Sequence, residues 1–326
     1  TSDSAVYIRL LDFNAGAAEG FKESLDTLIG DTGRNANGII IDLRGNPGGL
    51  FSEARDIAQL FLKMGEFIVG TSSRSKWNEE SHIAETDGEY SRLPMAILID
   101  NGSASAAEIL AGTLKYSGHA VLVGDTTFGK GLVQSYLRLP EGDGLRLTIS
   151  RYFFEGNRYI NPLDSAAKVQ GVGIAPDIFY KSIEDEPFYL ELEWKLILLR
   201  FAHLRQDDIV SSTGSPEEKN RWLNLLREYA FKNKFSYKSE TAKSAEKLFE
   251  EVESAALKKQ AQKALKIAEL LDEKLFEKFG DYLWLRLRQI AYERKYGSYK
   301  AYKEIVVPNN EPIKIASSAL HQKEVQ

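Results

Sequence analysis

Two short aliphatic runs, Gly38–Leu43 (GIIIDL) and Met95–Ile99 (MAILI), each lead straight into a turn of small and polar residues. A strand that is apolar at consecutive positions is buried on both faces. That is the mark of a helix-covered parallel sheet rather than a half-exposed antiparallel one. The rest of residues 1–180 fits such a sheet. Val6–Phe13 (VYIRLLDF) reads as a strand and Ala17–Leu28 as an amphipathic helix. The first run ends in Arg44–Gly49 (RGNPGG), after which Ser52 is placed to cap a helix to about Lys63 that buries Ala54, Ile57, Ala58 and Phe61. The second run passes through Asn101–Glu108 (NGSASAAE) into a helix ending near Tyr116. Ala120–Gly124, Leu132–Leu139 and Leu145–Phe154 read as further strands, and the polar stretch Ser72–Tyr90 as an exposed excursion. Strand–helix alternation of this kind gives an α/β domain.

Past about Lys181 the pattern becomes all-helical. Phe188–Arg205 carries Leu190, Trp194, Ile197 and Phe201 at helical spacing, the pattern of one packed helix. Ser215-Pro216-Glu217-Glu218 is a helix start, with Ser at N-cap, Pro at N1 and Glu at N3. A long segment from Glu240 to Phe279 carries Leu248, Val252, Ala256, Leu271 and Leu275 and stops at Gly280; Asp281–Tyr296 makes another helix. The expected division is a core at 1–181, a helical domain at 182–305 and an irregular tail at 306–326.

The chain has no cysteine, which rules out disulfides and thiolate chemistry. Its net charge is −5, with 16 basic against 23 acidic side chains up to residue 180 and 26 against 24 beyond it. Neither part has the concentrated basic face of a nucleic-acid binder. No apolar run approaches the ~20 residues of a membrane helix. The chain opens at Thr1 without Met or export signal, as a processed or trimmed piece would.

Chemistry concentrates in residues 101–134. Ser105 falls between a buried strand and a helix, among Gly102, Ala104, Ala106 and Ala107. Such small neighbours let a carbonyl approach, while amides at a helix N-terminus face developing negative charge. The bland reading of a serine there is a helix N-cap. Lys130 stands between Gly129 and Gly131 at the entry to an apolar strand, a setting in which poor hydration is expected. Gln134 shares a strand face with positions 130 and 132, so its amide could orient the Lys130 amine. His82, His119, His203 and His321 lie outside any Gly-rich or strand-end setting. Lysine is then the remaining base, and it serves when burial disfavours its charged form. Gly124–Lys130 (GDTTFGK) satisfies G-x-x-x-x-G-K, but a phosphate loop continues with Ser or Thr and a helix, where this chain has Gly131 and a strand. Asn101-Gly102-Ser103 is a formal glycosylation acceptor that abuts a buried strand and reads as structural.

Four segments in order, Asp42–Gly49 (DLRGNPGG), Asn101–Glu108, Phe128–Gln134 (FGKGLVQ) and Gly171–Asp177 (GVGIAPD), resemble the motifs of the carboxyl-terminal processing peptidases, or tail-specific proteases. The resemblance spans about residues 5–180. It implies an α/β, crotonase-like (ClpP/crotonase-type) peptidase core, followed here by an all-helical C-terminal domain. By resemblance the chain is a serine endopeptidase with Ser105 as nucleophile, Lys130 as base and Gln134 as third catalytic residue. The family's twenty-five-residue spacing selects Ser105 over Ser103. Backbone amides of Ala106 and of Gly48 or Gly49 would form the oxyanion hole. Substrates would be proteins or peptides cut near apolar carboxyl termini, in the periplasm or another extracytoplasmic space, with no metal or cofactor.

Two departures stand out. The family usually carries a PDZ domain before the strand matching Val6–Phe13, and none of it lies in these residues; Tyr116 stands where many members have Asp or Asn. Two other readings use the same fold: a non-catalytic binding or scaffold protein working through its helices, and an acyl-CoA enzyme, for which the Ser/Lys pair has no evident use. No feature decides peripheral membrane association, and the helical part is available for assembly into an oligomer.

Overall fold

The computed structural model describes residues 5–31, 36–73, 79–139, 143–160, 173–183 and 186–323. The chain divides into two compact units, Thr1–Lys181 together with Asn310–Gln326, and Ser182–Asn309. The first unit holds β1 (Val6–Arg9), α1 (Ala17–Asp31), β2 (Ile39–Asp42), α2 (Phe51–Gln59), β3 (Phe67–Ser72), β4 (Glu80–Ile83), β5 (Met95–Ile99), α3 (Ala106–Tyr116), β6 (Ala120–Gly124), β7 (Leu132–Arg138), β8 (Gly144–Phe154), β9 (Arg158–Tyr159) and β10 (Ile178–Phe179).

Five of these strands form a parallel sheet in the order β1-β2-β5-β6-β10. The others form an antiparallel sheet in the order β4-β3-β8-β7, with β9 beside β8. The consecutive apolar runs follow from where the parallel sheet lies. Ile39, Ile41, Met95, Ile97, Ile99 and Leu122 enter one core with Phe21, Leu25, Ile57, Phe61 and Leu110. Ile40, Ala96, Leu98 and Val123 are equally buried but alternate with that set, on the opposite face.

The opposite face is covered by the last helix. Residues 306–326, expected to be irregular, instead contain α14 (Glu311–Lys323), which packs on β2, β5 and β6. Ile313, Ala316 and Leu320 are its buried row, and a Cβ on Gly38 would stand 2.9 Å from Leu320 Cδ1. The two prolines that broke the periodicity, Pro308 and Pro312, lie just before the helix and in its first turn, where a missing N–H is harmless.

Other expectations shift for local reasons. Ser52 caps nothing: α2 starts at Phe51 behind Leu50, two residues earlier than a Ser52 cap implies, and the Glu53 carboxylate accepts from the Gly16 and Ala18 amides at the start of α1. The supposed excursion contains β4, and β3 before it was not foreseen; residues 74–78 of that stretch lie outside the described residues.

In the second unit the described elements are all helical: α4 (Pro187–Trp194), α5 (Ile197–Leu204), α6 (Gln206–Ser211), α7 (Pro216–Lys232), α8 (Glu240–Glu251), α9 (Ala255–Glu273), α10 (Leu275–Lys278), α11 (Gly280–Tyr296), α12 (Ser298–Ala301), a π turn at Tyr302–Val306 and α13 (Val307–Asn309). The expected single helix Phe188–Arg205 breaks at Leu196, whose φ of +56° is left-handed, and Trp194 is therefore 77% exposed rather than packed. Ser215 does cap α7, accepting from the Glu218 amide at 3.3 Å. Phe188, Phe201, Trp222, Leu226, Phe276, Leu283 and Leu287 belong to this unit's separate core. Among the described residues no helix is long and apolar enough to cross a membrane.

Candidate active site

Three loops at the carboxyl ends of parallel strands meet at the start of α3. The first follows β2. Asp42 is fully buried there and takes a bidentate pair from Arg44, 2.9 Å from Nε and 2.6 Å from Nη2, with the Tyr7 hydroxyl at 2.7 Å. Burial opposes the Asp42 charge, yet the Arg44 guanidinium and the Tyr7 hydroxyl hold its carboxyl below the ordinary range. Asn46, also fully buried, fixes the rest of the turn. Its Nδ2 donates to the Leu10 carbonyl and its Oδ1 accepts from Gly48 N–H, both at 2.8 Å; its carbonyl accepts from Ala104 N–H at 2.9 Å. Gly48 is pressed so closely on the second loop that a Cβ would stand 2.5 Å from the Ala104 carbonyl and 2.8 Å from Ala106 N, at a φ of +94°.

The second loop, between β5 and α3, carries both candidate serines. Ser103 is wholly buried; its Oγ donates to the Leu43 carbonyl at 2.8 Å and accepts from the Asp100 amide. That hydroxyl belongs to the framework. Ser105 is half-buried, at φ +56° and ψ −115°, a conformation that non-glycine residues hold only where the surroundings impose it and that recurs at functional sites. As first residue of α3, Ala106 has one of the amides that find no partner within the helix.

The third loop runs from β6 to β7 and carries Phe128-Gly129-Lys130-Gly131. Glu108, in the first turn of α3 and fully buried, joins it to the second. Its Oε2 accepts from the backbone N–H of Ser105 at 2.9 Å and of Lys130 at 2.8 Å. Its Oε1 accepts from Gly129 N–H at 2.7 Å and the Thr127 hydroxyl at 2.6 Å. Four donors fill the acceptor positions that a carboxylate offers. The Thr127 hydroxyl also accepts from Ile174 N–H, which ties in the Gly173–Asp177 segment, and Phe128 N–H donates to the Ser103 carbonyl. Residues 171 and 172 of that motif lie outside the described residues. Glu108, Asn46 and Thr127 were not singled out from the sequence. A glutamate or asparagine inside a Gly/Ala/Ser turn does signal a buried acceptor, since nothing else there satisfies the turn's amides.

The backbone of Lys130 is thus anchored beside Ser105, but its side chain is exposed, against the expectation of poor hydration. The turn's amides are held by Glu108, while both the lysine and Phe128, which is 62% exposed, stay open to water. Gln134 is likewise exposed on β7 and its amide reaches Thr148 Oγ1 at 3.5 Å. Among the described residues no hydrogen bond links the side chains of Ser105, Lys130 and Gln134. Gly48, one candidate oxyanion donor, has its N–H engaged by Asn46, which leaves Gly49 in that turn. Tyr116 lies at the far end of α3, about 15 Å of helix from Ser105. Its ring packs on Phe154, with Arg158 stacked over it at 4.9 Å; burial pushes its phenol up, against the pull of that guanidinium. His119 is paired with Glu66 at 2.8 Å, and His82 packs against Phe51.

The family model described as peptidase family S41 matches residues 4–179, more than half of the chain. The chain belongs to peptidase family S41. Its relatives include "Carboxyl-terminal-processing peptidase 2, chloroplastic" of Arabidopsis thaliana, 36% identical over 174 residues, which are 52% of this chain and 31% of that protein. They also include "Carboxyl-terminal-processing protease" of Synechocystis sp., 43% identical over 149 residues, 46% of this chain and 34% of that one. This S41 chain therefore spans about a third of the length of those curated relatives. Among solved structures it is similar to "Photosystem II D1 C-terminal processing protease", with 28% identity and a TM-score of 0.47 over 55% of this chain and 45% of the other.

Proposed function

We propose that this S41 peptidase is a serine endopeptidase that cleaves proteins near apolar carboxyl termini through Ser105 and Lys130. The supporting observation is the shared Glu108 carboxylate, which holds the backbone of both residues from one buried point. Ser105 Oγ attacks the peptide carbonyl, and the Lys130 amine takes the proton and returns it to the leaving amine. Amides of Ala106 and Gly49 face the oxyanion, and water then releases the acyl group from Ser105. Gln134 steers the Lys130 amine once substrate covers the loop. We assign the parallel-sheet unit to the crotonase-like type, regard Ser182–Asn309 as a separate helical domain suited to assembly, and place the protein in an extracytoplasmic or lumenal space.

An unstructured protein substrate tests this. Ser105→Ala and Lys130→Ala should each abolish cleavage, losing at least ~10³-fold because the pair acts as a unit. Ser103→Ala should still cleave, though destabilised by about 1–3 kcal/mol through its lost buried hydrogen bonds. Cleavage that persists in Ser105→Ala would refute the assignment. The exposure of Lys130 favours one second reading, a binding protein on the same fold, for which all three variants would bind substrate and none would cut it.

A further inference from the structure

β7 is an edge strand: among the described residues no strand pairs with its outer side, and it starts two residues after Lys130. Its inner side faces β8. Tyr152 N–H donates to the Gly131 carbonyl at 3.0 Å and Leu139 N–H to the Asp143 carbonyl at 2.8 Å. Backbone groups of residues 131, 133, 135, 137 and 139 therefore turn inward. The register shift keeps this alternation, because Val133 pairs with Ser150 and Gln134 with Thr148, which puts the extra residue, Ile149, on β8. The N–H and C=O of Leu132, Gln134, Tyr136 and Arg138 then point outward.

The ribbon that presents this edge also carries a bare apolar row. Leu137 pairs with Leu145 and Ser135 with Leu147, so Leu137, Leu145 and Leu147 share one face. They are 41–47% exposed, and Ile149 beside them is 38% exposed. Edge strands of soluble proteins are normally blunted by charge, bulges or a covering element. Here the outward amides run along the seven residues of β7, about 20 Å of strand, and the apolar row lies beside them on the same hairpin, Leu137 on β7 and the others on β8.

We propose that the outer edge of β7 receives the substrate, an extended peptide with apolar side chains at alternate positions, which adds as a further strand and is led to Ser105. This rests on the peptidase reading. Continuity with the site favours substrate over a second copy as the occupant. The edge begins at the turn whose Lys130 amide shares the Glu108 carboxylate with the Ser105 amide, so a strand laid on it ends at the nucleophile loop. The same strand covers Lys130 and Phe128, which are open to water here. Main-chain hydrogen bonds supply affinity independent of sequence, and the leucine row selects apolar residues two apart.

The test reads binding on the Ser105→Ala protein, which removes cleavage from the measurement. The probe is a fluorescein-labelled peptide of about ten residues with leucine at alternate positions, long enough to span the edge. Bound peptide should slow amide exchange at Leu132, Gln134 and Tyr136. N-methylation of every second peptide residue should weaken binding about tenfold each, and of the intervening residues little. Tyr136→Pro, which removes an outward N–H, should weaken binding to a similar degree with little change in melting temperature. Leu137→Pro, which removes an inward one, should melt the hairpin. N-methyl effects without alternation, protection at other amides, or peptide-free protection of the same amides that grows with protein concentration would overturn the proposal; the last would make the edge a contact between copies. Unmutated protein that binds in this pattern yet never cuts would refute the peptidase reading and leave the edge standing. Cleavage without the pattern would refute the edge alone.

Discussion

Glu108 decides more of the site than either residue it positions. With the Phe128–Ser103 backbone bond, its four hydrogen bonds hold the two loops together, and replacing the carboxylate with an amide turns one acceptor oxygen into a donor. In Glu108→Gln one pair of donors, the N–H groups of Ser105 and Lys130 or the Gly129 N–H with the Thr127 hydroxyl, is left facing NH2. The expected result is a loss of about 2–5 kcal/mol in urea unfolding and at least ~10²-fold in kcat, with KM nearly unchanged. An unaltered kcat would show that the two loops keep their relation without this anchor.

Asp42 and Arg44 give the same unit its acid sensitivity. The folded carboxyl titrates below its unfolded value, so the folded state binds fewer protons as pH falls towards ~4. Its contribution is therefore present above the unfolded pKa and is lost as pH drops through the folded one. Arg44→Leu should cost roughly 3–5 kcal/mol at neutral pH by leaving a buried charge without its main partner. Because the Tyr7 hydroxyl and the Arg9 charge are then left to oppose desolvation, the acid loss should shrink or reverse, which urea midpoints measured between about pH 3 and 7 would show.

At the scale of elements, the sequence was most legible where burial is complete. GIIIDL and MAILI announced β2 and β5 because both faces of those strands are covered. β3 is less legible because its buried run, Ile68–Gly70, is only three residues long and ends in Thr71 and Ser72, and β4 because Glu80–Ile83 is mostly exposed. Nothing in the order of Gly129, Lys130 and Gly131 tells that Glu108 holds the turn's amides, so the motif is plain in the sequence while the exposure of the lysine is not. α3 offers an opposed pair of effects to test. Gly112→Ala raises helix propensity by about 1 kcal/mol. A Cβ there would stand 2.3 Å from the ring of Phe154, a buried residue at the end of β8. The ring has nowhere to retreat, so the clash should win and the variant should be less stable by ~1–3 kcal/mol. A higher melting temperature would mean that the two layers can part without cost.

At the scale of the molecule, the first unit is discontinuous in sequence, its last helix returning after 128 residues of the helical unit. A division drawn where composition changes, near residue 181, misses this, because α14 looks irregular until its partner face is known. The row Ile313, Ala316 and Leu320 has meaning only against Ile40, Ala96, Leu98 and Val123. A chain ending at Lys181 should accordingly expose one whole face of its parallel sheet and be insoluble or unfold without a cooperative transition. A chain in which a flexible Gly/Ser linker replaces Ser182–Asn309 and leads into α14 should recover cooperative unfolding, since it restores that face. A free peptide of residues 310–326 added to the truncated chain should restore less, because it lacks the advantage of being tethered. Circular dichroism melts of the three samples decide the matter. If the truncated chain is as stable as the linked one, α14 is an ornament on the peptidase unit; if only the linked chain melts cooperatively, the unit includes its last helix and the 128 residues between are an insertion into it.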